Sequence, residues 1–144
     1  MNKVKILTGY ILINFIFSCS EGYEQNYKTF GEFNEKNERN KGWFPAIIYS
    51  DVTEIKNISY LDSNSAFGKF SYNNSKLYDS VFSKNHKINL ELFDDNIRKN
   101  VKRKPDWFLD LKKLDKSNLE VIKKGRFYIL KNENEKKIYF ILSS

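Results

Sequence analysis

Few residues of this chain carry chemistry by type, and their spacing narrows the field further. His86 is the only histidine and Cys19 the only cysteine among 144 residues. One imidazole leaves a single side chain titrating near neutrality, and one thiol excludes an internal disulfide framework or a multi-cysteine zinc site. His86 lies in Ser83-Lys84-Asn85-His86-Lys87, a polar turn with no acid to orient the ring, so it reads as a solvent-facing loop residue. Asp106 and Asp110 stand at i and i+4. On a helix starting at Pro105 both carboxylates would face one side, where they could bind a cation or divide acid and base roles. Acids near a helix start also complement its dipole, which is the ordinary reading. Asp62 and Asn64 sit in Leu61-Asp62-Ser63-Asn64, where Asx-turn hydrogen bonding accounts for both. Trp43 and Phe44, just before Pro45, could stack on a sugar or peptide, but large aromatics more often close a core. No G-x-S-x-G, H-E-x-x-H, phosphate-loop or dinucleotide-binding glycine pattern occurs. No catalytic residue, cofactor or metal is therefore expected.

The densest charge is Arg98, Lys99, Lys102, Arg103 and Lys104, five cations in the run RKNVKRK. Such a segment can contact phosphates, either of nucleic acid or of anionic lipid headgroups. The plain alternative is a solvated loop in a lysine-rich chain with 25 basic against 18 acidic residues.

The first twenty residues, MNKVKILTGYILINFIFSCS, place Lys3 and Lys5 before a mostly apolar stretch from Val4 to Phe17. The stretch is too short to cross a bilayer and ends in small polar residues, as a signal-peptide apolar region does. Ile16-Phe17-Ser18-Cys19 resembles a bacterial lipobox of the Bacteroidota type, with Phe17 bulkier than usual. That resemblance implies cleavage before Cys19 and acylation of its thiol and amine, palmitate included. It also implies a lipid anchor that consumes the only thiol. Ser20-Glu21-Gly22-Tyr23-Glu24 resembles a short acidic signal for display on the outer membrane. The expected division is a signal peptide over 1–18, a polar tether over 19–27 and one domain over 28–144. Export makes nucleic acid the poorer partner for the basic run. Anionic headgroups or another envelope protein are the better ones.

The elements that must position these residues can be read from periodicity. Thr29-x-x-Glu32 has the form of a capping box, with a short helix after it. Ile55–Leu61 and Gly68–Tyr72 flank turn residues and predict a hairpin. A helix is expected over 75–83, burying Leu77, Tyr78, Val81 and Phe82. Another is expected from Pro105 to about Leu114, carrying Trp107, Phe108, Leu111 and Leu114. Residues 126–130 and 137–142 form the strongest hairpin signal. These elements imply an α+β domain with a mainly antiparallel sheet of two hairpins and two or three short helices. Trp43, Phe70, Tyr72, Trp107, Phe127, Ile129, Ile138 and Phe140 are the expected core.

Gly42-Trp43-Phe44-Pro45, Ile55, Leu61-Asp62-Ser63-Asn64 and Phe70-Ser71-Tyr72 together resemble small uncharacterised bacterial envelope proteins with a G-W-[LF]-P … L-D-[TS]-N pattern. Ser59 stands where that pattern would have a histidine. The resemblance implies a shared fold and brings no activity with it. The expected function is that of a lipid-anchored envelope protein acting as a non-enzymatic binding or accessory module. The alternatives are a small hydrolase-like enzyme using Asp106, Asp110 or His86, and a structural subunit of an envelope complex.

Overall fold

The computed structural model describes residues 22–143. The expected signal peptide and the lipidation at Cys19 fall outside the described residues.

The described chain opens with a strand where its polar composition predicts a tether. Tyr23–Thr29 (β1) pairs antiparallel with Thr53–Tyr60 (β2), Tyr23 opposite Ser59 and Tyr27 opposite Ile55. Side chains alternate along a strand, so Gln25 is buried and Tyr27 half-buried while Glu24, Asn26 and Lys28 are exposed. The buried Gln25 is satisfied by Glu38 at 2.5 Å and by the Asn57 amide at 3.0 Å. Helix α1 (Phe30–Glu35) follows. The Thr29 hydroxyl accepts from the Glu32 amide at 3.3 Å, and the Glu32 carboxylate accepts from the Lys28 amide at 2.8 Å. This is the expected capping box, with its return bond one residue early.

Strand β3 (Ser65–Ser71) completes the expected first hairpin. Helix α2 (Ser75–Lys84) buries Tyr78, Val81 and Phe82, as its spacing predicts. Then come β4 (His86–Lys87), α3 (Leu90–Lys99), β5 (Leu119–Lys124), β6 (Phe127–Asn132) and β7 (Lys137–Leu142). The helix expected from Pro105 does not form. Only the short 3-10 turn Leu111–Lys113 falls in that stretch, with a second at Lys116–Asn118 beyond it. Phe108 and Leu109 are both buried, on chain that turns rather than coils as an α-helix. Phe108 instead meets Phe67 edge-on at 5.0 Å and Tyr139 at 5.6 Å.

The fold is α+β, with one antiparallel sheet of seven strands in the order β1-β2-β3-β7-β6-β5-β4. The two expected hairpins are neighbours within it, β3 pairing with β7, and the sheet is extended on both sides by β1 and by β5 and β4. Each face has its own core. On one, Ile55, Phe70, Ile129, Ile138 and Phe140 pack against Phe33, Phe44 and α2. On the other, Tyr60, Phe67, Leu130, Tyr139 and Ile141 pack against α3 and Phe108. Of the expected core, Phe70, Tyr72, Ile129, Ile138 and Phe140 are buried, whereas Trp43, Trp107 and Phe127 are half-buried. Gly68 is required where it stands: a β-carbon there would lie 2.0 Å from the Phe140 ring.

Candidate functional site

The acids and the imidazole singled out by type do not gather. Asp106 and Asp110 are exposed on irregular chain rather than on one helical face. Asp110 accepts from the Lys112 amide at 3.1 Å and lies 3.7 Å from the Lys113 ammonium. His86 is exposed on the edge strand β4. Asp62 pairs with Arg103 at 2.6 Å, and Asn64 adopts φ 48° in the β2–β3 turn. Phe44 plugs the core against Phe33 at 4.9 Å, with Trp43 packed beside it. Among the described residues, no group of three or more His, Cys, Asp or Glu could hold a metal ion.

The basic segment is divided by its surroundings. Arg98 pairs with Asp94 one helical turn back. Arg103 pairs with Asp62 and lies over the Tyr60 ring at 5.3 Å, while its carbonyl accepts from the Tyr60 hydroxyl at 2.9 Å. Lys99, Lys102 and Lys104 make no ion pair among the described residues. Lys99 and Lys102 are exposed, whereas Arg103 and Lys104 are half-buried.

A second cationic site was not expected from the sequence. Lys56 on β2 lies directly opposite Lys69 on β3, so both side chains leave the same face of the sheet. Both ammoniums lie over the Trp107 indole, 4.9 Å and 5.6 Å from its centroid. The Lys69 ammonium also donates to the Trp107 carbonyl at 3.5 Å. The Trp107 ring nitrogen faces the Glu24 carboxylate at 3.5 Å. A β-bulge shifts the β2–β3 register between Thr53 and Lys56, where Glu54 takes φ 51°. Its carboxylate there accepts from the Ser71 hydroxyl at 2.7 Å. Left-handed backbone is costly for a side chain like this one, and bulges often re-aim residues beside functional sites. The result is a cleft of about 530 Å³ whose cations are Lys28, Lys56, Lys69 and Lys137.

No carboxylate pairs with Lys56 or Lys69 among the described residues. Burial pulls the Lys69 ammonium below the ordinary lysine value, and Lys137 and Lys56 add to the depression against a partial offset from Glu54 and Glu135. An anion entering the cleft would meet ammoniums already held together and would relieve their repulsion.

Residues 21–71 match the family model of the YbbD head domain. The matched stretch runs through β1, α1, β2 and β3, and so contains Lys28, Glu54, Lys56 and Lys69 but neither Trp107 nor Lys137. No curated protein and no solved structure matches the chain. Among the described residues no helix is long and apolar enough to cross a membrane. The family match is consistent with a small bacterial envelope protein.

Proposed function

We propose that the protein is a lipid-anchored envelope protein that acts as a non-enzymatic binding module, receiving a small anionic ligand between Lys56 and Lys69. The observation that carries the ligand is the cross-strand pairing of these two lysines over Trp107 without a carboxylate partner among the described residues. Like charges directly opposite on a sheet destabilise it by a fraction of a kcal/mol. A group that spans both ammoniums turns that cost into affinity. Phosphate suits the cleft, because lysine acts on it as a point charge, whereas planar carboxylate recognition favours the arginine fork. The cleft's glutamates are engaged, Glu32 by the Lys28 amide and Glu54 by Ser71. Its chemistry therefore favours holding an anion over moving a proton.

The anchor reading rests on the lipobox-like Ile16-Phe17-Ser18-Cys19, with the outer membrane as the proposed location and Ser20-Glu21-Gly22-Tyr23-Glu24 as its display signal. Two or three acyl chains on Cys19 would hold the protein firmly, since each buried methylene contributes about 0.8 kcal/mol. Cys19→Ala should abolish acyl labelling in cells; labelling that persists in this variant would refute the anchor.

The ligand is tested on the full chain in an uncharged detergent by calorimetric titration with glucose 6-phosphate and with glucuronate. Glucose 6-phosphate should bind, more weakly as salt rises, and K56M or K69M should reduce its affinity at least tenfold. Tighter binding of glucuronate would overturn the choice of phosphate, and no heat with either would overturn the site.

A further inference from the structure

Tyr23, Leu61, Leu92 and Val101 are the large apolar side chains exposed among the described residues. Three of the four gather at one end of the sheet. Strand β1 enters there: Tyr23 is opposite Ser59, and Gly22 lies so close to Ile58 and Tyr60 that a β-carbon would approach them within 2.7 Å. Strand β2 ends there at Tyr60, with Leu61 at the tip and 83% exposed. The Tyr60 hydroxyl holds the Arg103 carbonyl, and Arg103 in turn reaches Asp62. These contacts bring the 3-10 turn Val101–Arg103 to the same end, with Val101 60% exposed. Lys99, Lys102 and Lys104, the cations of the basic segment without ion pairs among the described residues, flank it. Cys19 precedes Gly22 by three residues, a reach of at most about 11 Å.

We propose that this end of the sheet is a membrane-contact surface, on which Leu61 and Val101 enter the headgroup boundary of an anionic bilayer while Lys99, Lys102 and Lys104 contact lipid phosphates. The occupant follows from what is gathered there. Exposed apolar residues ringed by lysines that have no ion pair among the described residues match an interfacial lipid site, and an exposed tyrosine suits the polar–apolar boundary. The inference rests on the anchor reading for its attachment point, because the site of acylation lies within three residues of this surface. It also sets an orientation. The Asn132-Glu133-Asn134-Glu135 turn lies at the opposite end of the sheet, since Lys137 pairs with Ser71 and Leu142 with Ala66. The Lys56–Lys69 pair stands four residues along β2 from Tyr60, about 13 Å away from the contact surface. An upright domain therefore keeps that cleft open to the aqueous side.

The test uses the full acylated chain in vesicles of seven parts phosphatidylcholine to three of phosphatidylglycerol. Acylated Cys19 leaves an introduced thiol unique, so L61C and N134C can each carry an environment-sensitive fluorophore. The L61C probe should brighten and be quenched by acyl-chain-labelled lipid, whereas the N134C probe should not respond. Equal responses, or a response only at N134C, would overturn the surface while leaving the anchor intact. The same probes in a C19A background from which residues 1–18 are removed separate the two readings. At low salt, L61C/C19A should still bind the vesicles, with about fivefold lower affinity for each of Lys99, Lys102 and Lys104 replaced by Gln. Failure of C19A protein to bind at low salt would also overturn the surface. Absence of acylation on the wild-type chain would refute the anchor alone, provided this binding persists.

Discussion

Lys69 and Lys131 project from opposite faces of one sheet and meet opposite surroundings. Lys131, on β6, has a side chain only 3% exposed. It contacts Asp79 at 2.6 Å, Glu120 at 2.6 Å and Glu133 at 3.5 Å, and lies 5.5 Å from the Phe82 ring centroid. Burial pulls its ammonium down, but the bonds from Asp79 and Glu120 outweigh that and leave it above the ordinary lysine value. Lys69 is half-buried, yet its charged neighbours are mainly Lys137 and Lys56, and it is depressed. A fold that surrounds one lysine with three carboxylates leaves another facing a like charge. The first is a strut between α2 and the sheet. The second stays open to an anion.

Removing the strut gives the largest expected effect. Breaking a fully buried ion pair costs about 3–5 kcal/mol. The carboxylates left behind in K131M are partly solvated, Asp79 58% and Glu120 36% exposed, so about 2 kcal/mol is expected by chemical denaturation. Anion binding at Lys69 should be unchanged. The loss has a pH signature. Lys131, followed by Lys87, holds the Glu120 carboxyl below its ordinary value. That stabilisation is present above the unfolded carboxyl value and is lost as pH falls through the folded one. Lys131 itself is raised, so its contribution is present below the unfolded lysine value and is lost as pH rises through the folded one. The gap between wild type and K131M should thus be widest at intermediate pH and close at both extremes. A constant gap would mean that Lys131 acts by packing alone.

The two lysines also show which parts of the molecule could be read from sequence. The terminal hairpin, the first hairpin and α2 were legible because their apolar residues recur at the period of the element they form. Strand β1 was not. Its inward residues are Gln25 and Tyr27, and what makes Gln25 tolerable is Glu38 and Asn57, remote in sequence. Strand β5 does not alternate, and its Leu119-Glu120-Val121-Ile122 pattern gains its meaning only from β6 beside it. Pro105 is a sound local signal for a helix, which the tertiary contacts of Phe108 with Phe67 and Tyr139 overrode. The basic run announced itself, but the partner that neutralises Arg103 did not, since Asp62 is 41 residues from Arg103. Lys56 and Lys69 are lone lysines in alternating strands. Only the hairpin register, shifted by the bulge near Glu54, sets them face to face.

The smallest expected effect is the most discriminating. K69M removes one of two opposed charges from a half-buried place and keeps an unbranched stem over Trp107. Relief of a cross-strand repulsion is expected to stabilise the fold by about 0.5 kcal/mol, or about 2 °C in Tm for a domain of this size. The same substitution should cut anion affinity at least tenfold, so stability and ligand affinity move in opposite directions. The pH dependence follows from the direction of the shift. A lysine depressed in the folded state weakens the fold at every pH below its folded value, and the penalty disappears as pH rises towards the unfolded value. Wild type should therefore gain stability on the alkaline approach to that value relative to K69M, with Tm measured at intervals from neutral pH upward. If K69M proves less stable than wild type, the Lys69 ammonium is holding the fold through the Trp107 ring and carbonyl. Lys69 would then be a strut like Lys131, and the contrast between the two would be gone.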